Sequence, residues 1–260
     1  MRLTRIGYTL GAMLLVCIVL LNAQTAPLAA AQTQPAQEMV ALANQTRRAQ
    51  GLGTLVWDPA LATAALQHCQ RMAAEGPIAH RYGGEPDLTA RAGDAGAHFS
   101  LIEENVAVGA SAASIHQAWM ESPGHRANLL NAEIDRVGIA VVAARGVLYA
   151  VADYTRGVPV LTAAQVEAQV AGLIRARGIE LLKDPTDARA ACALDRGWPA
   201  LTGAQPGLVF RWQGNELTQL PQELAAKIAS GHYRQAAVGS CPPQDVEGQF
   251  TVYRLAVLLY

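Results

Sequence analysis

Apolar residues recur at helical spacing in the first part of the chain after residue 32. The first predicted helix runs to about Gln50 and ends at Gly51. Its apolar face repeats at i, i+3, i+4 and i+7, and it consists of Ala36, Met39, Val40 and Ala43. Asp58 followed by Pro59 is typical of a second helix start, because a carboxylate caps the helix and proline suits its first position. His68 and Cys69 lie on the apolar face of that helix, so we interpret both as packed core residues.

The next hundred residues mix loop, helix and strand patterns. Residues 78–98 are rich in glycine and predict a loop. Ser100 with Glu103 three residues later forms the pattern of a capping box, which predicts a short helix ending at Gly109. A longer helix follows over about residues 112–119, and Ser122-Pro123-Gly124 breaks it with a turn.

Residues 137–154 carry the pattern of two paired strands. Between Val137 and Val142 both alternating sets of residues are apolar, as in a strand covered on both faces. Gly146 turns the chain, and residues 148–154 return as the partner strand.

The last hundred residues echo this first part. Residues 175–185 resemble residues 48–59 with one residue deleted, and an alanine-rich helix follows each. Ala237-Val238-Gly239 echoes Gly138-Ile139-Ala140, and residues 255–260 echo residues 149–154. Internal similarity of this kind indicates a duplicated unit. The alternative is a chance likeness between alanine-rich helices and valine-rich strands.

Residues 1–31 have the pattern of a cleaved signal peptide. Arg2 and Arg5 give a positive start, and residues 10–21 form an apolar run shorter than the roughly 20 residues that span a bilayer. Residues 29–31 are alanines, which suit cleavage. We therefore predict a secreted or extracytoplasmic protein. The alternative is an uncleaved segment that anchors the chain in the membrane, which is the only membrane contact we predict.

Composition narrows the class of protein. Hydrophobic residues make up 51% of the chain and charged residues 16%, which predicts a packed core. The net charge is −1, and no basic run alternates with aromatic residues, so the sequence predicts no nucleic-acid partner.

Export changes the expected chemistry of cysteine. Cys69, Cys192 and Cys241 remain after cleavage, and disulfides persist outside the cytosol. Three is an odd number, so one thiol stays free or pairs between chains. Cys192 falls on a helix of the second unit and Cys241 just after its inner strand, so we predict a disulfide between them.

Three motifs follow one another between residues 104 and 140. They are Glu104-Asn105-Val106-Ala107, Ser122-Pro123-Gly124-His125-Arg126-Ala127-Asn128-Leu129-Leu130 and Val137-Gly138-Ile139-Ala140. In this order they resemble the bacterial branch of the CAP superfamily (SCP-like; cysteine-rich secretory protein, antigen 5, pathogenesis-related 1). The resemblance covers about residues 38–154. It implies an α+β fold, a three-layer α-β-α sandwich over residues 35–157, and it leaves residues 163–260 as a C-terminal domain. We interpret that domain as a degenerate CAP-like repeat without the site.

The resemblance also assigns candidate site residues. CAP proteins typically turn two His and two Glu toward one cavity, and here His80, Glu104 and His125 match three of these. The slot of the second Glu holds Ser122 with Glu121 beside it, so the fourth member is missing or displaced. We therefore predict a ligand-binding cleft formed by His80, Glu104, His125 and Glu121.

The same residues suit more than one chemistry. Two imidazoles and a carboxylate, here His80, His125 and Glu104, can hold zinc or another divalent metal and leave a position for water. They can instead act without metal as a hydrogen-bonded cluster. Ser122 beside His125 suggests a nucleophile and base, but no orienting acid stands at a recognisable spacing.

A fold alone does not set a function. CAP proteins have been associated with lipid or sterol binding, with antimicrobial or signalling roles and occasionally with proteolysis. We expect a non-enzymatic binding module for a lipid, a cell-envelope component or an extracellular ligand. The alternative is a metal-assisted, peptidase-like hydrolase in which His80, Glu104 and His125 activate water. A structural envelope protein whose second unit recruits a partner is the third hypothesis.

Overall fold

The computed structural model describes residues 33–244 and 250–260, so the predicted signal peptide lies outside the described residues. The first unit contains α1 (Gln34–Ala49), β1 (Val56–Trp57), α2 (Pro59–Glu75), α3 (Leu88–Asp94), β2 (Phe99–Gly109), α4 (Ala112–Glu121), α5 (Pro123–Leu129), β3 (Arg136–Ala144) and β4 (Val147–Gly157). The second unit contains α6 (Ala163–Arg175), β5 (Glu180–Leu181), α7 (Thr186–Cys192), β6 (Leu208–Gly214), α8 (Gln222–Ala229), β7 (Gln235–Cys241) and β8 (Tyr253–Leu259).

The first sheet is covered by helices on both faces. Its strand order is β1-β3-β4-β2, with β4 antiparallel to β3 and β2, and with β1 parallel to β3. Alternate residues of a strand point to opposite faces. One face packs on α2, as the buried contacts of Val151 with Cys69 and Met72 show. The other packs on α1 and α4 through residues such as Met39, Trp119 and Ala152. The predicted α+β, three-layer α-β-α sandwich is therefore confirmed.

The two long predicted helices of this unit form where expected. Asp58 caps α2, since its Oδ1 accepts from the backbone N–H groups of Ala60 at 2.8 Å and Leu61 at 3.2 Å. His68 and Cys69 are both fully buried on α2, which confirms that they are core residues.

The predicted short helix after Ser100 is wrong, because residues 99–109 form the strand β2. Residues 101–109 pair one to one with β4, and this continuous ladder satisfies the backbone N–H and C=O groups of β2 that face β4. Glu103 consequently accepts from Asn131 rather than closing a capping box. The predicted turn at Ser122-Pro123-Gly124 is also a regular element, since Pro123 begins helix α5.

A glycine in β3 allows α2 to approach the sheet. A Cβ atom at Gly138 would lie 2.1 Å from the backbone nitrogen of Ala62. Only glycine therefore fits at this position, and α2 lies directly on the backbone of the sheet.

The second sheet repeats this arrangement. Its order is β5-β7-β8-β6, again with one parallel pair and two antiparallel pairs. Gly239 in β7 has the same role as Gly138, since a Cβ there would lie 2.2 Å from the backbone nitrogen of Arg189 in α7. The sequence comparison aligned Ala237 with Gly138. The close helix contact instead aligns Gly239 with Gly138, so the alignment of the two units shifts by two residues here. The division into domains 35–157 and 163–260, and the duplication itself, stay predictions.

The predicted disulfide between Cys192 and Cys241 is present, with the two Cα atoms 5.8 Å apart. Cys69 is a free, buried thiol, and its Sγ donates to the carbonyl of Tyr149 at 3.2 Å. Burial raises the pKa of the Cys69 thiol to about 12.

The two units meet at the start of the edge strand β2. The backbone N–H of Thr251 donates to the Phe99 carbonyl at 2.8 Å, and that of Val158 donates to the His98 carbonyl at 2.9 Å. The ring of Phe250 packs edge-on against Phe99 at a centroid distance of 5.5 Å. The C-terminal part of the chain therefore covers one end of the first sheet.

Within residues 33–244 and 250–260, none of the helices combines the length and the apolar character needed to span a membrane.

Candidate functional site

Glu104 is the centre of a buried network of charged groups. It lies on β2, on the face that packs against α2, and its side chain is only 3% exposed. Its Oε1 accepts from Nδ1 of His80 at 2.7 Å, and its Oε2 accepts from Nη2 of Arg91. Both oxygens of the carboxylate are thus engaged by cationic or polar donors.

His80 is the exposed end of this network. Its side chain is 60% exposed, and the bond from Nδ1 to Glu104 leaves Nε2 on the opposite side of the ring. The hydrogen bond to Glu104 raises the pKa of His80 above its usual 6.5, against the smaller effects of burial and of Arg91. The imidazole is therefore oriented by a buried carboxylate and has a strengthened tendency to be cationic.

Arg91 is a site residue that the sequence analysis missed. It lies on helix α3, inside the stretch predicted as a loop, and its buried guanidinium also donates to the His80 carbonyl at 3.2 Å. The signal that could have found it is Asp87, which caps α3 by accepting from Ala90. A capping residue followed by the seven residues up to Asp94 fits a short helix as well as a loop.

The network continues behind Arg91 into the core. Arg91 Nη1 lies 3.9 Å from Glu85 Oε1, and that carboxylate accepts from Nδ1 of His68 at 2.7 Å. His68 Nε2 contacts the Ala79 carbonyl at 2.8 Å. The segment that carries His80 is therefore tied to α2 and α3 by buried polar contacts, which fix its position.

Asp153 is a second carboxyl group beside Glu104. It is fully buried on the central strand β4, directly opposite Glu104 in the ladder. Burial, and then the negative charge of Glu104, raise the pKa of Asp153 well above its usual value, although Arg91 acts in the opposite direction. No donor within the described residues bonds its oxygens, which favours the protonated acid. The sequence signal was a single aspartate inside an apolar strand.

His125 is brought to the same region by the N-terminal turn of α5. The backbone carbonyl of His125 accepts from Asn105 Nδ2 at 2.9 Å. Asn128 donates to the Glu104 carbonyl at 3.1 Å and to Asn105 Oδ1 at 3.0 Å. Burial, and then the positive charge of His80, lower the pKa of His125. The hydrogen bond from Asn105 ties the backbone of His125 to β2, the strand that carries Glu104.

Glu121 does not join this group. It is exposed at the end of α4, where its carboxylate accepts from Gln117 at 2.9 Å. It lines a separate surface cavity between α4 and α5 together with Arg126 and Leu130. The prediction that Glu121 completes the cleft is therefore not supported, because the direction of α4 turns it away. His116 is likewise apart from this group, since it is buried and contacts Thr46 Oγ1 at 2.9 Å.

The donor set does not fit a bound metal ion. Within the part of the chain that the structure describes, no group of three or more His, Cys, Asp or Glu side chains is arranged to hold one. The carboxylate of Glu104 already accepts from His80 and Arg91, so it has little capacity left for a cation. Glu104 is hydrogen-bonded to His80 and Arg91, whereas His125 is tied to β2 through its backbone carbonyl.

Comparison with known proteins agrees with this fold. Residues 40–154 match the family model of the cysteine-rich secretory protein family, CAP. This part of the chain belongs to the CAP family. No curated protein sequence matches the chain.

Three solved structures illustrate the likeness of the CAP region. An outer surface protein from Borrelia burgdorferi is 19% identical with a TM-score of 0.46, over 49% of this chain and 96% of that one. An extracellular SCP-domain protein from Bacillus anthracis is 27% identical with a TM-score of 0.44, over 46% and 39%. A cysteine-rich secretory protein from Staphylococcus aureus is 21% identical with a TM-score of 0.39, over 46% and 38%. The chain thus spans well under half of the last two proteins.

Proposed function

We propose that this is an exported protein whose CAP domain is a non-enzymatic binding module. Its ligand is a lipid, a cell-envelope component or another extracellular molecule, and His80 and His125 make the contact. The signal-peptide pattern of residues 1–31 supports export.

The observation that carries the proposal is the engagement of Glu104. A carboxylate that is 3% exposed and held by both His80 and Arg91 is poorly placed to take a proton from water or to bind a metal. Its role is to orient His80. The neighbouring acid Asp153 is buried beneath α2 and has no access to a ligand at the surface.

The outward side of the cluster suits recognition of polar groups. His80 has a largely exposed ring, and the partly exposed His125 is tied through its backbone carbonyl to Asn105 on β2, beside Glu104. An imidazole pair offers a donor, an acceptor and a titratable positive charge. Because the network behind His80 is buried and hydrogen-bonded, the ligand meets a rigid surface.

Binding assays on the mature protein test this proposal. Sedimentation with phosphatidylglycerol–phosphatidylethanolamine vesicles and with isolated cell-envelope fractions separates the two main ligand classes. We expect His80→Ala and His125→Ala each to weaken binding about tenfold, the effect of losing one charge-assisted hydrogen bond. His232→Ala is the matched control, since His232 is exposed in the second unit and contacts only Ser230 among the described residues. Equal binding by all three variants would contradict the proposal.

A hydrolytic role is the second candidate, and one observation favours it. A buried carboxylate bonded to Nδ1 of a histidine whose ring is largely exposed is the arrangement of a general base. A peptidase and esterase screen of the wild type against His80→Ala decides this. Activity that disappears with His80 would replace the binding proposal with an enzymatic one.

A further inference from the structure

In the described part of the second unit, a shorter helix covers the sheet than in the first unit. Helix α7 has 7 residues, whereas the corresponding helix of the first unit, α2, has 17. In the first unit, the C-terminal half of α2 covers apolar residues such as Val106 and Val151. The register that aligns Gly239 with Gly138 places Gln213 and Arg254 at those two positions, and Arg211 at that of Glu104. A polar and a cationic residue therefore replace two valines, and a cation replaces the carboxylate.

Arg254 is buried there without a full set of partners. Its side chain is 7% exposed, and Nη2 donates to Asp195 Oδ1 at 2.7 Å. Its Nη1 is buried and has no hydrogen-bond partner among the residues the structure describes. Asp195, in contrast, is 80% exposed, so the counter-charge that the described residues offer to the nearly buried Arg254 lies in solvent.

Arg211 adds a second positive charge beside it. Its Nε donates to the Ala191 carbonyl and its Nη2 to the Gly197 carbonyl, both at 2.6 Å, so neutral groups hold it. Arg211 on β6 and Arg254 on β8 lie on the same face of two paired strands. Burial, and then the positive charge of Arg254, lower the pKa of Arg211. Among the described residues that line this region, two cations face a single exposed carboxylate, so their summed charge is positive.

A small cavity lies at these groups. Its volume is about 180 Å³, and it is lined by Asp195, Arg211, Trp212, Gln213, Gln244 and Arg254. Sites for whole drug-sized ligands usually exceed roughly 300 Å³, so this cavity suits a single chemical group. Guanidinium groups match the oxygens of carboxylates and phosphates in geometry and charge.

We propose that this cavity binds an anionic oxyacid group, a phosphate or a carboxylate, between Arg211 and Arg254. The anion takes over from Asp195 as the counter-charge of Arg254 and reduces the repulsion between the two cations. This site is in the second unit and is independent of the function proposed for the CAP domain.

Titration with inorganic phosphate and with acetate tests the site and distinguishes the two sources of the group. The signal is the fluorescence of the protein's tryptophans, since Trp212 lines the cavity, with chloride at matched ionic strength as the reference. We expect saturable binding, weakened at least tenfold by Arg211→Gln and unchanged by Arg175→Gln, an exposed arginine on α6.

Asp195→Asn is the more decisive variant, because an exposed side chain can be changed without loss of the fold. Removing the competing carboxylate should tighten binding several-fold. A response to phosphate and acetate no greater than that to chloride, or equal affinity in the wild type and Asp195→Asn, would overturn the proposal.

Asp245 and Glu247 follow Gln244 in the sequence and lie outside the described residues. The double variant D245N/E247Q is therefore titrated as well. Binding that develops only in this double variant would mean that the arginines serve the chain's own acids, and it would also overturn the proposal.

Discussion

The residues of the site divide into buried groups that hold the network together and an exposed histidine that a ligand can reach. Glu104, Arg91 and Asp153 are buried and interact mainly with one another. His80 is the member of this network with a largely exposed ring. A substitution at the buried groups should thus change the properties of His80 without touching a ligand.

The two histidines should titrate in a fixed order. The hydrogen bond from Glu104 raises the pKa of His80, whereas burial lowers that of His125. NMR titration of the imidazole signals should therefore show His80 losing its proton at the higher pH. Glu104→Gln should lower the pKa of His80. The pKa of His116, which burial lowers, should stay constant in that variant. A His80 that titrates below His125 would contradict the described contacts.

Asp153 should make the protein less stable as pH rises. Its folded-state pKa is raised above the unfolded value of about 3.9, so the folded state binds the proton more tightly. The stability that this proton contributes is fully present below the unfolded pKa and is lost as pH rises toward the folded-state pKa.

Urea denaturation between about pH 4 and pH 8 measures this dependence. Asp153→Asn keeps the shape of the side chain without the titration, so its unfolding free energy should fall less with pH. The exposed Asp94→Asn controls for the general effect of removing a charge. A slope that is identical in the wild type and Asp153→Asn would show that Asp153 is not protonated in the fold.

At the scale of helices and strands, a local sequence pattern predicted the right element only where strand pairing in the sheet did not override it. The Asp58 cap and the apolar faces of α1 and α2 were predictable, since helix periodicity and capping are local. The strand β2 was not predictable in this way. Its pairing with β4 outweighed the capping-box pattern of Ser100 and Glu103, which had indicated a helix. Arg91 and Asp153 were missed for a related reason, since only the fold brings them to Glu104. The meeting of His80 with Glu104 was expected from the family resemblance and not from their spacing.

Two glycines should be essential for the contact between helix and sheet in each unit. Gly138→Ala and Gly239→Ala place a methyl group about 2 Å from helix backbone, which cannot move as a side chain can. We expect each to cost at least about 3 kcal/mol in the free energy of unfolding, at or above the usual range for overpacking.

Gly172→Ala is the matched control. Gly172 is exposed on α6 and an added Cβ meets nothing within 4 Å, so this change should stabilise by about 0.5–1 kcal/mol. Chemical denaturation of the three variants provides the comparison. Similar values for Gly239→Ala and Gly172→Ala would contradict the close approach of α7.

At the scale of the whole molecule, two sheets of the same strand order carry different chemistry. The first covers both faces with longer helices and holds the His80–Glu104 cluster. The second has a shorter α7 and holds the Cys192–Cys241 disulfide beside it. A covalent bond thus restrains the unit with the smaller helix.

The disulfide should stabilise the second unit, and not the first, against unfolding. It closes a loop with a sequence separation of 49, for which about 2–4 kcal/mol is expected. The double variant C192A/C241A should lose that amount in the free energy of unfolding, and a reductant should lower the wild type similarly. A reductant should then have no further effect on the double variant. Cys69 should react with a thiol reagent only after denaturation, because it is buried.

The contacts of Thr251 and Phe250 with Phe99 have a consequence for dissection of the chain. A chain ending at Gly157 would lose both, and the first residues of β2 would present an unpaired backbone edge beside an uncovered aromatic ring. Such edges template association between copies. The family-matched region expressed alone should therefore tend to self-associate and aggregate. In the full chain, the C-terminal residues prevent this by covering the exposed end of β2.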